Sequence, residues 1–227
     1  MRLNDSDSVA RLTEPTTRLA AMRRSYRRAG LREEDLAEAW PAQFERWLAD
    51  AVAAGIGEPN AMVLATADRE ARPSARTVLL KGVDERGFVL FTNRESRKGR
   101  EAAENPRAAL LFPWHDLQRQ VIAEGPIEPL SPEEDDAYFA TRPHGSQLGA
   151  LASPQSRVLA SRDELERAFA EAGERHPGGV PRPPQWGGLR VVPDAVEFWQ
   201  GRPDRLHDRL RYRRKSGGSW VVERLAP

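Results

Sequence analysis

Three cationic or potentially cationic side chains, Arg205, His207 and Arg209, alternate near the C-terminus, and Trp199 precedes them. Alternate residues of an extended strand point to one face of a sheet, and like charges on one face repel each other unless an anion lies in front of them. The pattern therefore predicts a pocket for a flat, phosphorylated ligand. A lone histidine is more often structural or solvated, but Arg205 and Arg209 are expected to lower the pKa of His207 and favour its neutral form.

Two further groups of cations lie earlier in the chain. Arg76 and Lys81 stand five residues apart, on opposite faces of an ideal strand. They are either two surface cations or, if the strand twists or bulges, ligands of an anion. Ser96 can cap a helix that starts with Arg97 and Lys98. Because free N–H groups and the helix dipole favour anions at a helix N-terminus, these residues predict a phosphate site.

Tyr138, Arg142 and Ser146 cluster near the end of a predicted helix. Pro143 requires the chain to leave the helix after Arg142, and Gly145 favours a loose loop. Alone, this group is equally well explained as an ordinary helix exit.

Helical spacing, caps and capping boxes starting at Ser131 and Ser161 predict helices over 19–28, 41–54, 97–104, 132–140 and 162–173. Strand signals cover 61–67, 74–83, 88–92, 107–114, 118–127, 188–192, 195–199, 208–214 and 220–225. Short strands at hairpin spacing, with helices between them, favour an antiparallel barrel with peripheral helices over a doubly wound sheet. The predicted fold class is mainly β with flanking helices, as a single domain over 19–227 after a disordered leader over 1–18.

Composition excludes several classes of protein. The 227 residues contain no cysteine, which excludes disulfides, thiol chemistry and cysteine-ligated metals. Charged residues make up 30% of the chain, but the net charge is only +1, which disfavours a general nucleic-acid binder. No His, Asp or Glu cluster has metal-site spacing, and no segment has the length of a membrane span or the character of a signal peptide. The predicted location is the cytoplasm.

Together these motifs resemble the pyridoxamine (pyridoxine) 5'-phosphate oxidase family of FMN enzymes, from about Met22 to Pro227. The strongest match is Glu197-Phe198-Trp199-Gln200, followed after four residues by Arg205-Leu206-His207-Asp208-Arg209. Other matching motifs occur in order: Arg76 to Lys81, Ser96-Arg97-Lys98, Leu111-Phe112-Pro113-Trp114-His115, Arg119-Gln120, Ser146-Gln147-Leu148-Gly149, Trp186-Gly187-Gly188 and Arg224-Leu225-Ala226-Pro227.

The resemblance implies an FMN-binding split β-barrel that forms a homodimer with FMN at the interface. The FMN contacts it implies are Arg76, Thr77, Val78, Leu79, Leu80, Lys81, Phe91, Thr92, Arg97, Lys98, Gln120, Gln155, Ser156, Trp199 and Arg209. The implied substrate contacts are Lys81, Tyr138, Arg142, Ser146, Arg205 and His207, with Arg23, Arg24 and Tyr26 on an N-terminal segment that can close over the substrate. Arg205 and His207 are the implied catalytic residues: Arg205 orients the substrate and stabilises the transition state, and His207 hydrogen-bonds to the substrate.

The implied reaction oxidises pyridoxamine 5'-phosphate and pyridoxine 5'-phosphate to pyridoxal 5'-phosphate. A hydride leaves the C4' carbon for the flavin, O2 is reduced to hydrogen peroxide, and the amine substrate releases ammonia. The protein supplies positioning and electrostatics, since the flavin carries the electrons.

Some positions depart from the family pattern and bear on substrate preference. Phe91 stands where a tyrosine is frequent, Leu151 where tryptophan is common, and His144-Gly145 fills a variable stretch. Two alternatives share the fold: a flavin or deazaflavin reductase, and a non-catalytic binder of FMN, haem or pyridoxal phosphate. Neither readily explains the full set of substrate residues.

Overall fold

The computed structural model describes Tyr26 and residues 30–227. The leader predicted over 1–18, Arg23, Arg24 and, apart from Tyr26, the helix predicted over 19–28 lie outside the described residues.

Helices and strands alternate irregularly along the described chain. The helices are α1 (Trp40–Ala53), α2 (Arg97–Glu104), α3 (Pro132–Ala140), α4 (His144–Ala152) and α5 (Arg162–Arg175). The strands are β1 (Ala61–Ala67), β2 (Pro73–Leu79), β3 (Gly82–Asp84), β4 (Gly87–Asn93), β5 (Arg107–Trp114), β6 (Arg119–Pro129), β7 (Trp186–Val191), β8 (Ala195–Gln200), β9 (Asp208–Arg214) and β10 (Trp220–Arg224). Short 3-10 turns occur at Glu33–Asp35, His115–Leu117 and Pro203–Arg205.

The strands form one antiparallel sheet that folds back on itself. Its main path runs in the order β10-β9-β8-β6-β5-β1-β2, and a second path runs from β3 through β4 and β7 to β6. The long strand β6 joins the two paths, since it pairs with β5 and β8 over its first part and with β7 over Ile127–Pro129. The predicted antiparallel barrel with flanking helices is confirmed.

Helix α1 fills the main core. It buries Trp40, Phe44 and Trp47 at helical spacing. Phe44 packs edge-on against Phe88 with ring centroids 5.1 Å apart, and Trp47 packs edge-on against Phe198 at 5.2 Å. Full burial of each such ring stabilises the fold by roughly 1.5–3 kcal/mol, so this helix holds the two sheet paths together.

A smaller core lies under helices α3 to α5. Phe139, Leu148, Ala172, Val180 and Trp186 are its buried members. This core joins α4 to β7 and thereby fixes the segment that carries the predicted substrate residues.

The prediction of a loose loop after Arg142 is wrong, because helix α4 follows directly. Pro143 is extended at φ −53° and ψ 142° and precedes the helix as its cap residue. Its carbonyl accepts hydrogen bonds from the N–H groups of Ser146 and Gln147 at 2.8 and 3.1 Å. Proline is tolerated there because no helical N–H is needed, and burial of Leu148 stabilises the new helix.

The single strand predicted over 74–83 is two strands. β2 pairs with β1, β3 pairs with β4, and the chain crosses between these partners at Leu80 and Lys81. The Leu80 N–H donates to the Asn60 carbonyl at 2.9 Å, and the Lys81 N–H donates to the Val89 carbonyl at 2.8 Å. The alternation of an ideal strand therefore does not govern the relation between Arg76 and Lys81.

One of the two predicted capping boxes is only half formed. Ser131 and Glu134 exchange both hydrogen bonds, at 3.2 and 3.1 Å. Ser161 accepts from the N–H of Glu164 at 3.3 Å, but the Glu164 carboxylate accepts from the N–H of Ala160 instead.

None of the helices in the described part of the chain combines the length and apolar character needed to cross a bilayer.

Candidate active site

Three predicted cofactor residues, Arg76, Arg97 and Lys98, form a cationic cluster at the N-terminal end of α2. Arg97 Nε donates to Glu101 Oε1 at 2.8 Å, and Arg76 Nη2 donates to Glu101 Oε2 at 3.2 Å. Lys98 Nζ donates to Gln155 Oε1 at 3.0 Å. Two arginines thus share one carboxylate, and the lysine beside them has an amide oxygen as its partner.

Local backbone geometry sets the position of this helix end. Ser96 is fully buried, and its hydroxyl accepts from the Gly99 N–H at 3.3 Å. A Cβ at Gly99 would overlap the carbonyl oxygen of Arg94. Glycine therefore permits the first turn of α2 to lie against the preceding turn, with its free N–H groups next to Arg97 and Lys98.

Burial, together with the charge of Arg76, lowers the pKa of Lys98 to about 8. A buried ammonium without a carboxylate partner is unfavourable, and its partners here are the oxygens of Ser96 and Gln155. A phosphate next to these residues would favour the charged form of Lys98. The donor set of the cationic cluster therefore fits the phosphate of FMN.

The predicted substrate residues Arg142 and Ser146 line a pocket of about 320 Å³, together with Asn93, Gln155 and Trp186. The Arg142 guanidinium lies 4.6 Å from the centre of the Trp186 ring. Its Nη1 is buried and has no hydrogen-bond partner, and burial lowers the pKa of Arg142. An unpaired buried donor is costly, so the pocket suits an anionic group that accepts from Nη1.

Phe91 and Tyr138 stack beside this pocket. Their rings are 3.8 Å apart and nearly parallel, and Phe91 also stacks on Trp186 at 5.5 Å. The stack joins β4, α3 and β7, so it fixes the wall on which Arg142 rests.

Gln120, Trp199 and Arg209 form a row across β6, β8 and β9. Gln120 pairs with Trp199, and Trp199 pairs with Arg209. Arg209 is held by Glu197 through two hydrogen bonds of 2.7 and 2.9 Å and by the Ala226 carbonyl at 3.0 Å. The row presents an indole, an amide and an oriented guanidinium from adjacent strands.

The continuous strand face predicted for Arg205, His207 and Arg209 is wrong. Asp204 and Arg205 lie in a 3-10 turn with positive φ values of 54° and 63°, and β9 begins only at Asp208. Positive φ in non-glycine residues costs about 1–3 kcal/mol and is often found at functional sites. Arg205 therefore leaves the strand face and is exposed to solvent.

His207 packs within an aromatic group. Its ring centre lies 4.6 Å from that of Trp199 and 5.7 Å from that of Tyr26. Burial and, secondly, the charge of Arg205 lower the pKa of His207, while Asp208 acts in the opposite direction. The predicted direction is confirmed, although Arg209 is paired with Glu197 instead. His207 Nδ1 accepts from the Arg202 N–H at 3.1 Å, which leaves the proton of the neutral ring on Nε2.

The predicted residues thus fall into two groups within the chain. The first, the phosphate-site group, lies on β2, β4, α2, α3, α4, the link between α3 and α4, and the loop after α4. It contains Arg76, Phe91, Thr92, Arg97, Lys98, Tyr138, Arg142, Ser146 and Gln155. Thr92 and Lys98 both donate to Gln155 Oε1, at 3.3 and 3.0 Å. The ring group, on β6, β8, β9 and the turn before β9, contains Tyr26, Gln120, Trp199, Arg205, His207 and Arg209.

Several predicted cofactor residues lie outside these contacts. Thr77, Lys81 and Ser156 are exposed, Val78 and Leu79 are half-buried, and Leu80 is buried in the main core.

Three residues that were not predicted as site residues hold predicted site residues in place. Glu101 binds two arginines, Glu197 orients Arg209, and Trp186 supports Arg142. Glu101 carries a sequence signal, since it lies four residues after Arg97 on one helix face. The pairing of Glu197 with Arg209 depends on strand register and has no such local signal.

Family models match most of the chain. The model described as pyridoxamine 5'-phosphate oxidase matches residues 48–176. The model described as pyridoxine 5'-phosphate oxidase C-terminal dimerisation region matches residues 186–227.

Curated relatives agree with these matches. A protein of Salinispora arenicola named pyridoxine/pyridoxamine 5'-phosphate oxidase is 62% identical over 200 residues, which cover 87% of this chain and 90% of the relative. A protein of Frankia alni with the same name is 59% identical over 213 residues, covering 92% and 88%.

Solved structures confirm the split β-barrel. PhzG from Burkholderia lata, in complex with tetrahydrophenazine-1-carboxylic acid, superposes with a TM-score of 0.84 at 34% identity, covering 90% of this chain and 100% of PhzG. A pyridoxamine 5'-phosphate oxidase-related, FMN-binding protein from Nostoc punctiforme has a TM-score of 0.66 at 18% identity, covering 85% and 99%, and shares the fold. With a family model over more than half of its length and relatives at 59% and 62% identity, this chain belongs to the pyridoxamine 5'-phosphate oxidase family of enzymes.

Proposed function

We propose that this chain oxidises pyridoxamine 5'-phosphate and pyridoxine 5'-phosphate to pyridoxal 5'-phosphate, with FMN as cofactor and O2 as electron acceptor. The observation that carries the proposal is the buried, unpaired Nη1 of Arg142 in a pocket that also contains Ser146. A phosphorylated substrate would satisfy this donor, and a guanidinium suits phosphate.

The substrate phosphate is proposed to bind Arg142 and Ser146, with Tyr138 and Lys81 contributing further donors. The stack of Tyr138 on Phe91 restricts the direction of the phenol group. Lys81 is exposed at the crossing between β2 and β3, so its flexible ammonium is free of burial and available to an anion.

The cationic cluster and the ring group are proposed to hold FMN. When bound, FMN would supply the two-electron chemistry, hydride transfer from the substrate C4' carbon and reduction of O2. The amine substrate, O2 and water then give the aldehyde, ammonia and hydrogen peroxide, while the alcohol substrate and O2 give the aldehyde and hydrogen peroxide. The cationic cluster suits the FMN phosphate, and the row of Gln120, Trp199 and Arg209 suits the ring system.

His207 and Arg205 are proposed to bind the substrate ring. Neutral His207 has its proton on Nε2 because Nδ1 already accepts from the Arg202 N–H. Nε2 can therefore donate to an oxygen of the substrate, and the contact with Trp199 fixes the imidazole plane. Arg205 adds a permanent positive charge next to the reacting carbon, which orients the substrate and stabilises charge in the transition state.

We further propose a homodimer, in which FMN lies between subunits, and a cytoplasmic location. The match of residues 186–227 to a C-terminal dimerisation region supports association of two chains. The phosphate-site group and the ring group lie on different elements, which is compatible with a site completed by the second subunit.

The test is to purify the protein, record its flavin spectrum and add pyridoxamine 5'-phosphate in air. We expect bound FMN and formation of aldehyde, ammonia and peroxide in equal amounts. A protein without FMN, or one with FMN that yields neither aldehyde nor peroxide, would contradict the proposal. The second outcome would favour a non-catalytic binder, and flavin or deazaflavin reduction by a nicotinamide cofactor would favour a reductase.

A further inference from the structure

Glu101 is a buried carboxylate at the centre of the cationic cluster. Only 6% of its side chain is exposed. Oε1 accepts from Arg97 at 2.8 Å, and Oε2 accepts from Arg76 at 3.2 Å and from the hydroxyls of Thr66 and Ser74. Burial would raise the pKa of Glu101, but the four hydrogen bonds lower it to about 2. The carboxylate is therefore ionised at neutral pH.

The hydrogen bonds of Glu101 restrict both arginines. Arg76 also donates to the Leu64 carbonyl at 3.1 Å and to the Thr66 hydroxyl, so its guanidinium is fixed on two sides. Arg97 is largely exposed and has its Nε on Glu101 as the contact that orients it. A guanidinium bound through Nε still has its two terminal nitrogens free to bind an anion bidentately.

The charge of Glu101 also matters to the cluster. Arg76, Arg97 and Lys98 bring three positive charges together, and Glu101 brings the balance close to two. A phosphate monoester carries about −1.5 to −2 at pH 7, so the cluster with its carboxylate matches that charge.

We propose that Glu101 is a positioning residue for the phosphate of FMN, which acts by holding Arg76 and Arg97 in the geometry that binds it. This inference rests on the proposed FMN site. It has a clear opposite: if Glu101 merely neutralised the cluster, its removal would strengthen the attraction for a phosphate. The sign of the change in affinity therefore separates positioning from simple charge reduction.

The experiment compares FMN with riboflavin, which lacks the phosphate, on the apoprotein by quenching of flavin fluorescence. We expect Glu101→Gln to raise the Kd for FMN about tenfold or more, the usual effect of losing hydrogen bonds to a charged group. Riboflavin affinity should change by less than about twofold, because riboflavin lacks the phosphate. A general loss of structure would instead weaken the binding of both ligands. Glu104→Gln is the matched control, because Glu104 lies one turn later on the exposed side of α2, 3.8 Å from Arg69.

An unchanged or lower Kd for FMN in Glu101→Gln would overturn the inference, as would equal losses for FMN and riboflavin. If Glu101→Gln fails to fold, Ser74→Ala removes one hydrogen bond to Oε2 and should shift FMN affinity alone in the same direction by a smaller factor; no shift would overturn the inference. A wild-type protein that binds FMN no better than riboflavin would instead contradict the proposed phosphate site itself.

Discussion

Arg142 and Lys98 are charged side chains whose surroundings within the chain do not compensate their burial. Arg142 has a buried donor without an acceptor, and Lys98 donates only to neutral oxygens in the hydrogen bonds described. Such groups reduce the stability of the free protein unless a bound partner compensates them. Both lie where a phosphate is proposed, which explains why the cost is tolerated at these positions.

Lys98 gives the FMN site a dependence on pH. Its pKa of about 8 lies below the ordinary value of 10.5 because of burial and the charge of Arg76. The free protein therefore loses this proton as pH rises through about 8, and a phosphate binds the protonated form more tightly. We expect the Kd for FMN to rise between about pH 7 and about pH 9 while the Kd for riboflavin stays flat. Lys98→Arg should abolish the rise, because arginine stays charged; a rise that persists in this variant would contradict the assignment.

Alanine substitutions of Arg205 and Arg97 are predicted to affect different properties, turnover and FMN affinity respectively. Arg205→Ala should lower kcat/KM by about a hundredfold or more, as for removal of a transition-state contact, and leave FMN affinity nearly unchanged. Arg97→Ala should weaken FMN binding about tenfold or more. Saturating FMN should restore most of the activity of this variant. Flavin titration and steady-state kinetics on both variants check the pair. Equal losses of turnover and FMN in Arg205→Ala would show that this arginine belongs to the cofactor site.

Some of the residues predicted separately from sequence lie together in the structure. Arg142 and Ser146, predicted as substrate contacts, line one pocket with Gln155, predicted as an FMN contact. Glu197 could not be matched with Arg209, because that pairing requires the register of β8 and β9. Side-chain partners that come from distant strands are set by tertiary packing, which leaves no local pattern in the sequence.

At the scale of elements, local signals gave correct results where one physical rule was sufficient. The cap predicted at Ser96 and the helix predicted over 97–104 are both present in α2. The break between β2 and β3 was missed, because it arises from a change of strand partner at Leu80 and Lys81. The sequence predicts a loop after Arg142 because Pro143 cannot continue the preceding helix, whereas proline also suits the start of the next one, α4.

Gly99 provides the test at this scale. A Cβ at this position would overlap the Arg94 carbonyl, whereas Gly145 in α4 has open space around it. We expect Gly99→Ala to lower the free energy of unfolding by about 1–3 kcal/mol, as overpacking does, and to weaken FMN binding by displacing the first turn of α2. Gly145→Ala should be neutral or stabilise the protein by up to about 1 kcal/mol. Urea unfolding measures both, and equal stability of the two variants would show that α2 adapts without cost.

At the scale of the whole molecule, the proposed function requires the phosphate-site group and the ring group to form one site. Arg142, between α3 and α4, belongs to the first, and Arg205, in the turn before β9, belongs to the second. In a symmetric dimer with an isologous interface, each site can take one group from each subunit. Sequence motifs could identify both groups but not their subunit, because spacing along a chain contains no information on a second copy.

Mixing two inactive variants tests this arrangement directly. Arg142→Ala and Arg205→Ala are each expected to be nearly inactive. Suppose that every site combines the phosphate-site group of one subunit with the ring group of its partner. A mixed dimer then has one doubly altered site and one intact site. Unfolding and refolding equal amounts together makes about half of the dimers mixed, so about a quarter of wild-type activity should return. Refolding each variant separately is the control. No recovery in the mixture, with mixed dimers verified by mass spectrometry, would place both groups of each site in a single subunit.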